Sequence, residues 1–432
     1  MKYYLPDSQD LVDPSFDFQK ETRSPDRVRH RDDRYAHEVF GRRAFDGILI
    51  SKAAVDSVGG GSARYTGPQR RRFDRLGAKE FFRATGHAWG KLQFMGDCGA
   101  FSYVKDDVPP YTVDEVIDFY VRGRFDLGVS VDHVILDYDP TWDMRINGRS
   151  AVPPEIKQRQ KITLELARKF LDTCKRQSVG FKPVGVAQGW SPKSYAAAVT
   201  SLQKMGYEYI AIGGVVPLKT DKLVHVLQKI DEIRNPSTKL HLLGVTRLER
   251  IADFRTFGVV SFDSTSPLRR AWMDNKVNYF TIDDAYTALR VPQVDGNVRL
   301  QKAIRAGLVQ HDLAHAAEQK CLRLLEEYDQ GRRRSVKPVL QALLDYEAIH
   351  SPEGDRREPY ERMLTDRPWK LCKCEVCTQL GHHVAMFRGA ERNRRRGFHN
   401  VHVFYERLKL GLALPRSSIA ISRQAEQQML RL

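Results

Sequence analysis

Three cysteines and a histidine have the residue types and spacing of metal ligands. Cys372, Cys374 and Cys377 form a Cys-x-Cys-x-x-Cys motif, and His399 follows downstream. Three thiolates and one imidazole are typical of a closed tetrahedral site of the structural zinc type, with no open position for a substrate. Three other histidines are rival fourth ligands: His382, His383 and His402. We predict one structural zinc ion, and the alternative is a set of reduced cysteines without a metal.

Three aspartates follow short apolar runs, at the points where predicted strands give way to loops: Asp97, Asp137 and Asp263. Two further strand ends carry Gln188 and the pair Gly213 and Gly214. For one aspartate alone, a helix cap or a loop hydrogen bond is the simpler interpretation. Equivalent positions on several strands favour a site, because the carboxyl ends of barrel strands meet at one face. Paired carboxylates by themselves also fit a glycosidase.

The elements that position these side chains form a repeated pattern of an apolar run followed by a helical stretch. Seven runs are visible, at 46–52, 92–101, 132–140, 181–189, 207–214, 240–245 and 257–264. Strands that are apolar nearly throughout are buried on both faces, and alternation with helices indicates parallel pairing. With NYFTI at 278–282 as an eighth strand, the pattern predicts an α/β fold of the (β/α)8 TIM barrel class. An open doubly wound sheet is the competing interpretation.

The same pattern divides the chain into four predicted parts. They are an N-terminal segment at 1–45, the barrel at 46–300, a helical insertion at 301–365, and a zinc-binding subdomain with a C-terminal helix at 366–432. No run approaches the length of a transmembrane helix, and the first residues lack the pattern of a secretory signal. We therefore expect a cytoplasmic protein without a membrane partner.

The composition favours a polyanionic partner. Lys and Arg number 70 against 54 Asp and Glu, a formal charge of +16, and such an excess favours nucleic acid through counterion release. Three arginine runs are predicted phosphate contacts: Arg70, Arg71, Arg72, then Arg332, Arg333, Arg334, and Arg394, Arg395, Arg396. The alternative is a soluble basic protein whose arginines form a solvated surface.

Ordered motifs connect the sequence to a known family. They are MGDCGAF at 95–101, ILDYDP at 135–140, GVAQG at 185–189, YIAIGG at 209–214, LLGV at 242–245 and GVVSFDS at 258–264. The cysteine cluster and FHN at 398–400 complete the set. In this order the chain resembles the tRNA-guanine transglycosylases, and most nearly their DNA-acting relatives that insert 7-deazaguanine bases. The resemblance assigns His399 as the fourth zinc ligand.

The resemblance also implies roles for the strand-end residues. Asp263 is the expected nucleophile at C1′ of the target nucleotide, and Asp97 is the expected general acid and base. Asp137 is expected to accept hydrogen bonds from guanine N1–H and the exocyclic amine, and Gln188 to meet O6. The remaining base-binding residues are expected to be Gly213, Gly214, Phe101 and Leu243.

The implied partners are DNA, a 7-deazaguanine base of the preQ0 type and, as an expectation, other proteins of a DNA-modification system. A tRNA substrate is the alternative, and a non-catalytic nucleic-acid-binding subunit is a second one, disfavoured because Asp97 and Asp263 are both present. The sequence departs from the family motifs at Cys98, where Ser is usual, at Ala100, where Gly is usual, and at SPLRRA, 266–271. The last departure bears on the contacts that the family makes to the tRNA loop.

Overall fold

The computed structural model describes residues 1–57, 65–86, 89–146, 149–245 and 247–413. Eight parallel strands close into a barrel. They are β1 (Lys2–Pro6), β2 (Gly47–Ser51), β3 (Gln93–Asp97), β4 (Leu127–Val129), β5 (Lys182–Ala187), β6 (Tyr209–Ile212), β7 (Lys239–Leu242) and β8 (Val259–Asp263). The predicted (β/α)8 class is confirmed.

Helices follow the strands of this barrel. The main ones are Gly67–Phe81, Val113–Arg122, Pro154–Gln177, Pro192–Met205, Thr220–Asp231 and Ile251–Thr256. Residues near the first turn of two of these helices cap their N-termini. Thr112 and Glu115 form a reciprocal capping box at one start, and Ser191 accepts from the Ser194 N–H at another. Such caps satisfy backbone donors that the first helical turn leaves without a partner.

The inside of the barrel is packed with side chains, as expected for eight strands. Its buried cluster includes Tyr4, Met95, Val129, Val186 and Ala211, with the half-buried Leu243 packed against it. The interior is therefore a core, and the space for chemistry lies at the carboxyl ends of the strands.

The predicted eighth strand is wrong. The barrel closes through β1, which pairs with β8 in the register Lys2 to Ser261 and with β2 in the register Tyr4 to Gly47. Within the proposed run 278–282, Tyr279–Phe280 pairs antiparallel with Ala285–Tyr286 in a separate two-stranded sheet. β1 and the run 278–282 are both short and largely apolar, so the local sequence pattern does not show which of them is the barrel strand.

The predicted strand at 132–140 is also wrong. β4 ends at Val129, and residues 130–139 have no regular secondary structure. The apolar character of this run comes mainly from Val134 and Ile135, which are buried in a loop. Two short strands, Arg145–Ile146 and Arg149–Ser150, pair antiparallel in the same connection.

The chain separates into two compact units. One comprises Met1–Gln9, Phe45–Thr265 and a short stretch from Leu410, and it contains the whole barrel. The other comprises Asp10–Ala44 and Ser266–Lys409.

The second unit is mainly helical. Its helices are Ala36–Val39, Ser266–Met273, Val298–Arg305, His311–Asp329, Val336–His350, Arg357–Asp366, Pro368–Leu371, Glu375–Leu380 and Gly389–Ala413, the last running past the unit boundary. Leu289–Arg290 and Met386–Phe387 form a short parallel pair there. Among the described residues, no helix is long and apolar enough to cross a membrane.

Candidate functional site

Asp263 is the last residue of β8 and is buried. Its Oδ1 accepts the backbone N–H of Gly244 at 3.1 Å, and it lies 3.1 Å from His241 Nε2. Both donors bind the same oxygen. No hydrogen bond to the second oxygen, Oδ2, occurs within the described part of the chain, so Oδ1 alone anchors the carboxylate.

Asp97 ends β3, the strand after β2 in the barrel order. Burial raises the pKa of its carboxyl to about 8, with further contributions from the negative charges of Asp132 and Asp263. Backbone N–H groups of Gly99 and Cys98 oppose the shift. A carboxyl group with this pKa is mostly protonated at neutral pH, which suits a proton donor.

Asp132 is a buried carboxylate that was not predicted from the sequence. It lies three residues beyond β4 and accepts hydrogen bonds from Gln188 Nε2 at 2.7 Å and Cys98 Sγ at 3.2 Å. Burial raises its pKa to about 6, and those two hydrogen bonds limit the rise. Asp137, chosen from the sequence for this strand end, is exposed. The predicted strand boundary was placed too late, so Asp137 does not lie at the strand end.

Gln188, Gly213 and Gly214 lie together as expected. The Gln188 side chain also accepts the N–H of Ile135 at 3.2 Å, so its amide is oriented at both ends. A Cβ on Gly213 would come within 2.3 Å of Gln188 Nε2, and one on Gly214 within 2.1 Å of the Ile135 carbonyl oxygen. Gly214 also has a φ of 72°, a conformation that glycine adopts without strain. Only glycine fits at these two positions.

The two side chains expected to enclose the base differ in exposure. Phe101 is 53% exposed, in a short 3₁₀ helix just after β3. Leu243 follows β7 and packs on the barrel core. A ring that enters between such groups would cover the exposed phenyl face of Phe101.

A series of buried polar side chains, connected by hydrogen bonds, extends from Asp263 into the barrel interior. His241 Nδ1 lies 2.6 Å from Ser261 Oγ, which lies 2.5 Å from the Tyr209 hydroxyl. These residues were not among those predicted from the sequence. The available signal was a histidine and a serine within runs that are otherwise apolar, since buried polar groups require partners.

The arginine runs differ in their surroundings. Arg395 and Arg396 are buried, and their guanidinium groups donate to Glu391 and to the Met386 carbonyl oxygen, respectively. The prediction that they contact phosphates is therefore wrong, because both guanidinium groups are bound inside the protein. Arg394 is half-buried and lies 3.6 Å from an Asp10 carboxylate oxygen.

The arginines of the other two runs are more exposed to solvent. Arg332 and Arg334 are exposed, and Arg333 pairs with Glu327 at 3.0 Å. In the barrel unit, the helix Gly67–Phe81 carries Arg70, Arg71 and Arg72, of which Arg71 is exposed. Gln69 Nε2 donates to Gln9 Oε1 at 2.8 Å. Because Gln9 follows β1, this helix begins at the same end of the barrel as the carboxylates.

The cysteine cluster forms a compact donor set in the second unit. One ligand atom from each of Cys372, Cys374, Cys377 and His399 lies within 4.8 Å of the others, a geometry able to hold a metal ion. His399 Nε2 lies 2.7 Å from the Phe280 carbonyl oxygen, so that nitrogen donates and Nδ1 faces the three sulfurs. This arrangement, an imidazole oriented by a carbonyl, is typical of metal-ligating histidines.

The rival histidines have other partners. His382 Nδ1 lies 3.3 Å from an Asp329 carboxylate oxygen. His383 lies 3.4 Å from Arg392, and His402 lies 3.3 Å from Arg42. His399 is the histidine that lies with the three cysteines.

Comparison with known proteins gives a relative that matches nearly the whole chain. A DNA-guanine transglycosylase of Salmonella montevideo is 49% identical over 418 residues, which cover 96% of this chain and 98% of that protein. Queuine tRNA-ribosyltransferases of Janthinobacterium sp. (strain Marseille) and Herminiimonas arsenicoxydans are 24% and 25% identical over 158 residues, 35% of this chain and 42% of each relative. No protein-family model matches the chain.

Proposed function

This chain belongs to the guanine transglycosylase family, and we propose that it exchanges guanine in DNA for a 7-deazaguanine base through a covalent bond to Asp263. The observation that carries the proposal is the presence of two strand-end carboxyl groups, of the half-buried Asp97 and the buried Asp263, at the same end of the barrel. Asp97 has a pKa raised to about 8, whereas Asp263 is anchored through Oδ1 alone. One is suited to move a proton and the other to attack carbon.

The exchange consists of two displacements at C1′. Asp263 Oδ2 forms a bond to C1′ as the bond from C1′ to guanine N9 breaks, and its electron pair leaves with the base. Asp97 supplies one proton, so that neutral guanine departs and Asp97 becomes a carboxylate. The incoming base then gives a proton to Asp97, and its N9 displaces Asp263 from C1′. Both steps pass through oxocarbenium character, which a carboxylate stabilises.

The base-binding role assigned from the sequence to Asp137 passes to Asp132 in this proposal. An ionised Asp132 accepts the two adjacent donors of guanine, N1–H and the exocyclic amine. In the proposed complex, Gln188 and the N–H of Gly214 donate to O6. Because a 7-deazaguanine has the same pyrimidine edge, these groups serve both bases, and Phe101 and Leu243 cover the ring faces.

The 49% identity to a protein named for action on DNA supports DNA as the polymer, and the charge of +16 suits a long polyanion. In a duplex, the target nucleotide must leave the stack to reach the pocket, at a cost of a few kcal/mol. Arg70 and Arg71 lie on the helix that begins at the carboxylate end of the barrel, and we assign them to phosphate contacts.

We assign the donor set of Cys372, Cys374, Cys377 and His399 to zinc. Three thiolates and an imidazole match its preference for sulfur and nitrogen in four-coordinate structural sites. Bound there, zinc would hold the surrounding chain together and take no part in base exchange.

The test is an exchange assay with labelled guanine, offering plasmid DNA and tRNA in parallel. We expect label in DNA, and a DNA–protein adduct that survives denaturing electrophoresis. Asp263→Asn keeps the shape of the side chain but removes the anionic oxygen, so adduct and exchange should both be lost while DNA binding remains. Labelling of tRNA alone would overturn the choice of polymer. An adduct formed by Asp263→Asn would overturn the choice of nucleophile.

A further inference from the structure

Three buried polar side chains line up behind Asp263 in a barrel interior that is otherwise largely apolar. They come from three adjacent strands: Tyr209 from β6, His241 from β7 and Ser261 from β8. His241 and Ser261 have no exposed surface. Burying such groups is costly unless each finds a hydrogen-bond partner, so their arrangement in one continuous chain requires a reason.

The hydrogen-bond directions along this chain follow from its two ends. A carboxylate only accepts, so His241 Nε2 carries the proton that faces Asp263 Oδ1. A neutral imidazole then accepts at Nδ1, which makes Ser261 its donor. Ser261 Oγ in turn accepts from Tyr209, whose hydroxyl stays protonated because burial raises its pKa to about 12.

We propose that His241, held as the Nε2–H tautomer by Ser261 and Tyr209, is a positioning residue that fixes Asp263 for attack on C1′. This inference rests on the nucleophilic role given to Asp263 under the proposed function. His241 and the Gly244 N–H together bind Oδ1 and thereby set the direction of Oδ2. The Tyr4 ring packs edge-on against the imidazole, with centroids 5.9 Å apart, and restricts its rotation.

The tautomer matters because the opposite one would turn an Nε2 lone pair towards the carboxylate. Repulsion between that lone pair and Oδ1 would rotate Asp263 away from its anchored position. Small errors in the position of a reacting group are costly, and a displacement of about 1 Å can cost about 10²-fold in rate. The three hydrogen-bonded side chains therefore act on the covalent step. They leave base binding unchanged, because base binding uses other residues.

The experiment compares His241→Phe, His241→Gln and Ser261→Ala with the wild-type protein. The readouts are the single-turnover rate of adduct formation on saturating plasmid DNA, the KM for guanine and the melting temperature. We expect His241→Phe to slow adduct formation by about 10²-fold while the KM for guanine stays within about twofold. His241→Gln places an amide N–H near Nε2 and should recover part of that rate.

Ser261→Ala should produce a smaller decrease of about tenfold, the size expected when one neutral hydrogen bond is lost. Its matched control is Ser130→Ala. Ser130 is also fully buried, but its hydroxyl accepts the N–H of Val186 and does not touch the chain behind Asp263. The control should lower the melting temperature without changing the rate of adduct formation.

Two outcomes would overturn the inference. One is a wild-type rate of adduct formation in His241→Phe, while Asp263→Asn forms no adduct. The other is an equal loss of rate in Ser261→Ala and Ser130→Ala, in proportion to their melting temperatures, which would mean a structural role only. An adduct in Asp263→Asn would instead overturn the proposed function itself, so the two failures are distinguishable.

Discussion

The barrel carboxylates and the cysteine cluster are both buried polar sites, but their surroundings differ. At the strand ends, Asp97 and Asp132 have pKa values raised by burial. In the cluster, His399 donates to the Phe280 carbonyl oxygen and three sulfurs surround its other nitrogen. The carboxyl groups of the first site lie close enough for their charges to affect one another's pKa, whereas the second site gathers four ligand residues that could hold one metal ion.

This difference indicates how a single chain separates reactivity from stability. Under the proposed function, the group that transfers protons lies beside like charges, which raises its pKa towards neutral pH. In a structural metal site, protein ligands fill every coordination position of the metal. The variants below test whether this separation holds.

Asp97→Asn should have the largest effect. It removes the proton donor and acceptor but leaves Asp263 in place, so turnover should fall by about 10² to 10⁴-fold, the usual contribution of general acid and base catalysis. Some adduct should still form, because the nucleophile is intact. Steady-state exchange of labelled guanine measures the first effect, and denaturing electrophoresis measures the second. Turnover near the wild-type value would remove Asp97 from the mechanism.

The second prediction compares two aspartates of the same loop. Asp132→Asn should raise the KM for guanine about 10 to 100-fold, because an amide cannot accept from both donors of the base and one buried group loses its partner. Asp137→Asn is the matched control, since Asp137 is exposed, and its KM should stay at the wild-type value. The reverse result would restore the role first assigned to Asp137.

The pH profile of exchange provides a third, smaller test. Asp132 must be ionised to accept from guanine, so activity should rise as the pH passes about 6. Asp97 must be protonated when guanine leaves, so activity should fall as the pH passes about 8. Each limb should change about tenfold per pH unit. Asp132→Asn should also shift the upper limb to lower pH, because the Asp132 charge contributes to the raised pKa of Asp97.

Metal removal should have the smallest direct effect on the chemistry. A chelator, or Cys374→Ser, should lower the melting temperature markedly, because metal binding to such sites is coupled to folding. Protein that remains folded should form the Asp263 adduct at close to its normal rate. Elemental analysis of freshly purified protein should give one zinc per chain. Loss of adduct in fully folded, metal-free protein would contradict the separation of the two sites.

The sequence predicts much of this architecture because its main signals are local. Runs of buried β-branched residues mark the strands, and the spacing of the three cysteines marks the metal site. Asp97 and Asp263 were found because each ends such a run. Asp132 was missed because buried residues on either side of it continue the apolar pattern beyond the strand.

Other features depend on contacts between distant parts of the chain. Arg395 and Arg396 have the composition of a surface run, but their partners arrive through folding, as when Arg395 donates to the Asp13 carbonyl oxygen. The role of His241 likewise depends on strand pairing that places it beside Ser261 and Asp263. Local periodicity does not give the register between neighbouring strands, which sets His241 opposite Ser261.

The closure of the barrel by β1 has a consequence for the synthesis of the protein. Lys2 pairs with Ser261, so the first strand to leave the ribosome must wait for the last. At the usual rate of about 5 to 20 residues per second, that wait lasts roughly 13 to 50 seconds. During this time the growing sheet has an unpaired edge, which is a template for pairing with other chains. A fused tag ahead of Lys2 that hinders this late pairing should therefore reduce the yield of soluble protein more than the same tag after the last helix.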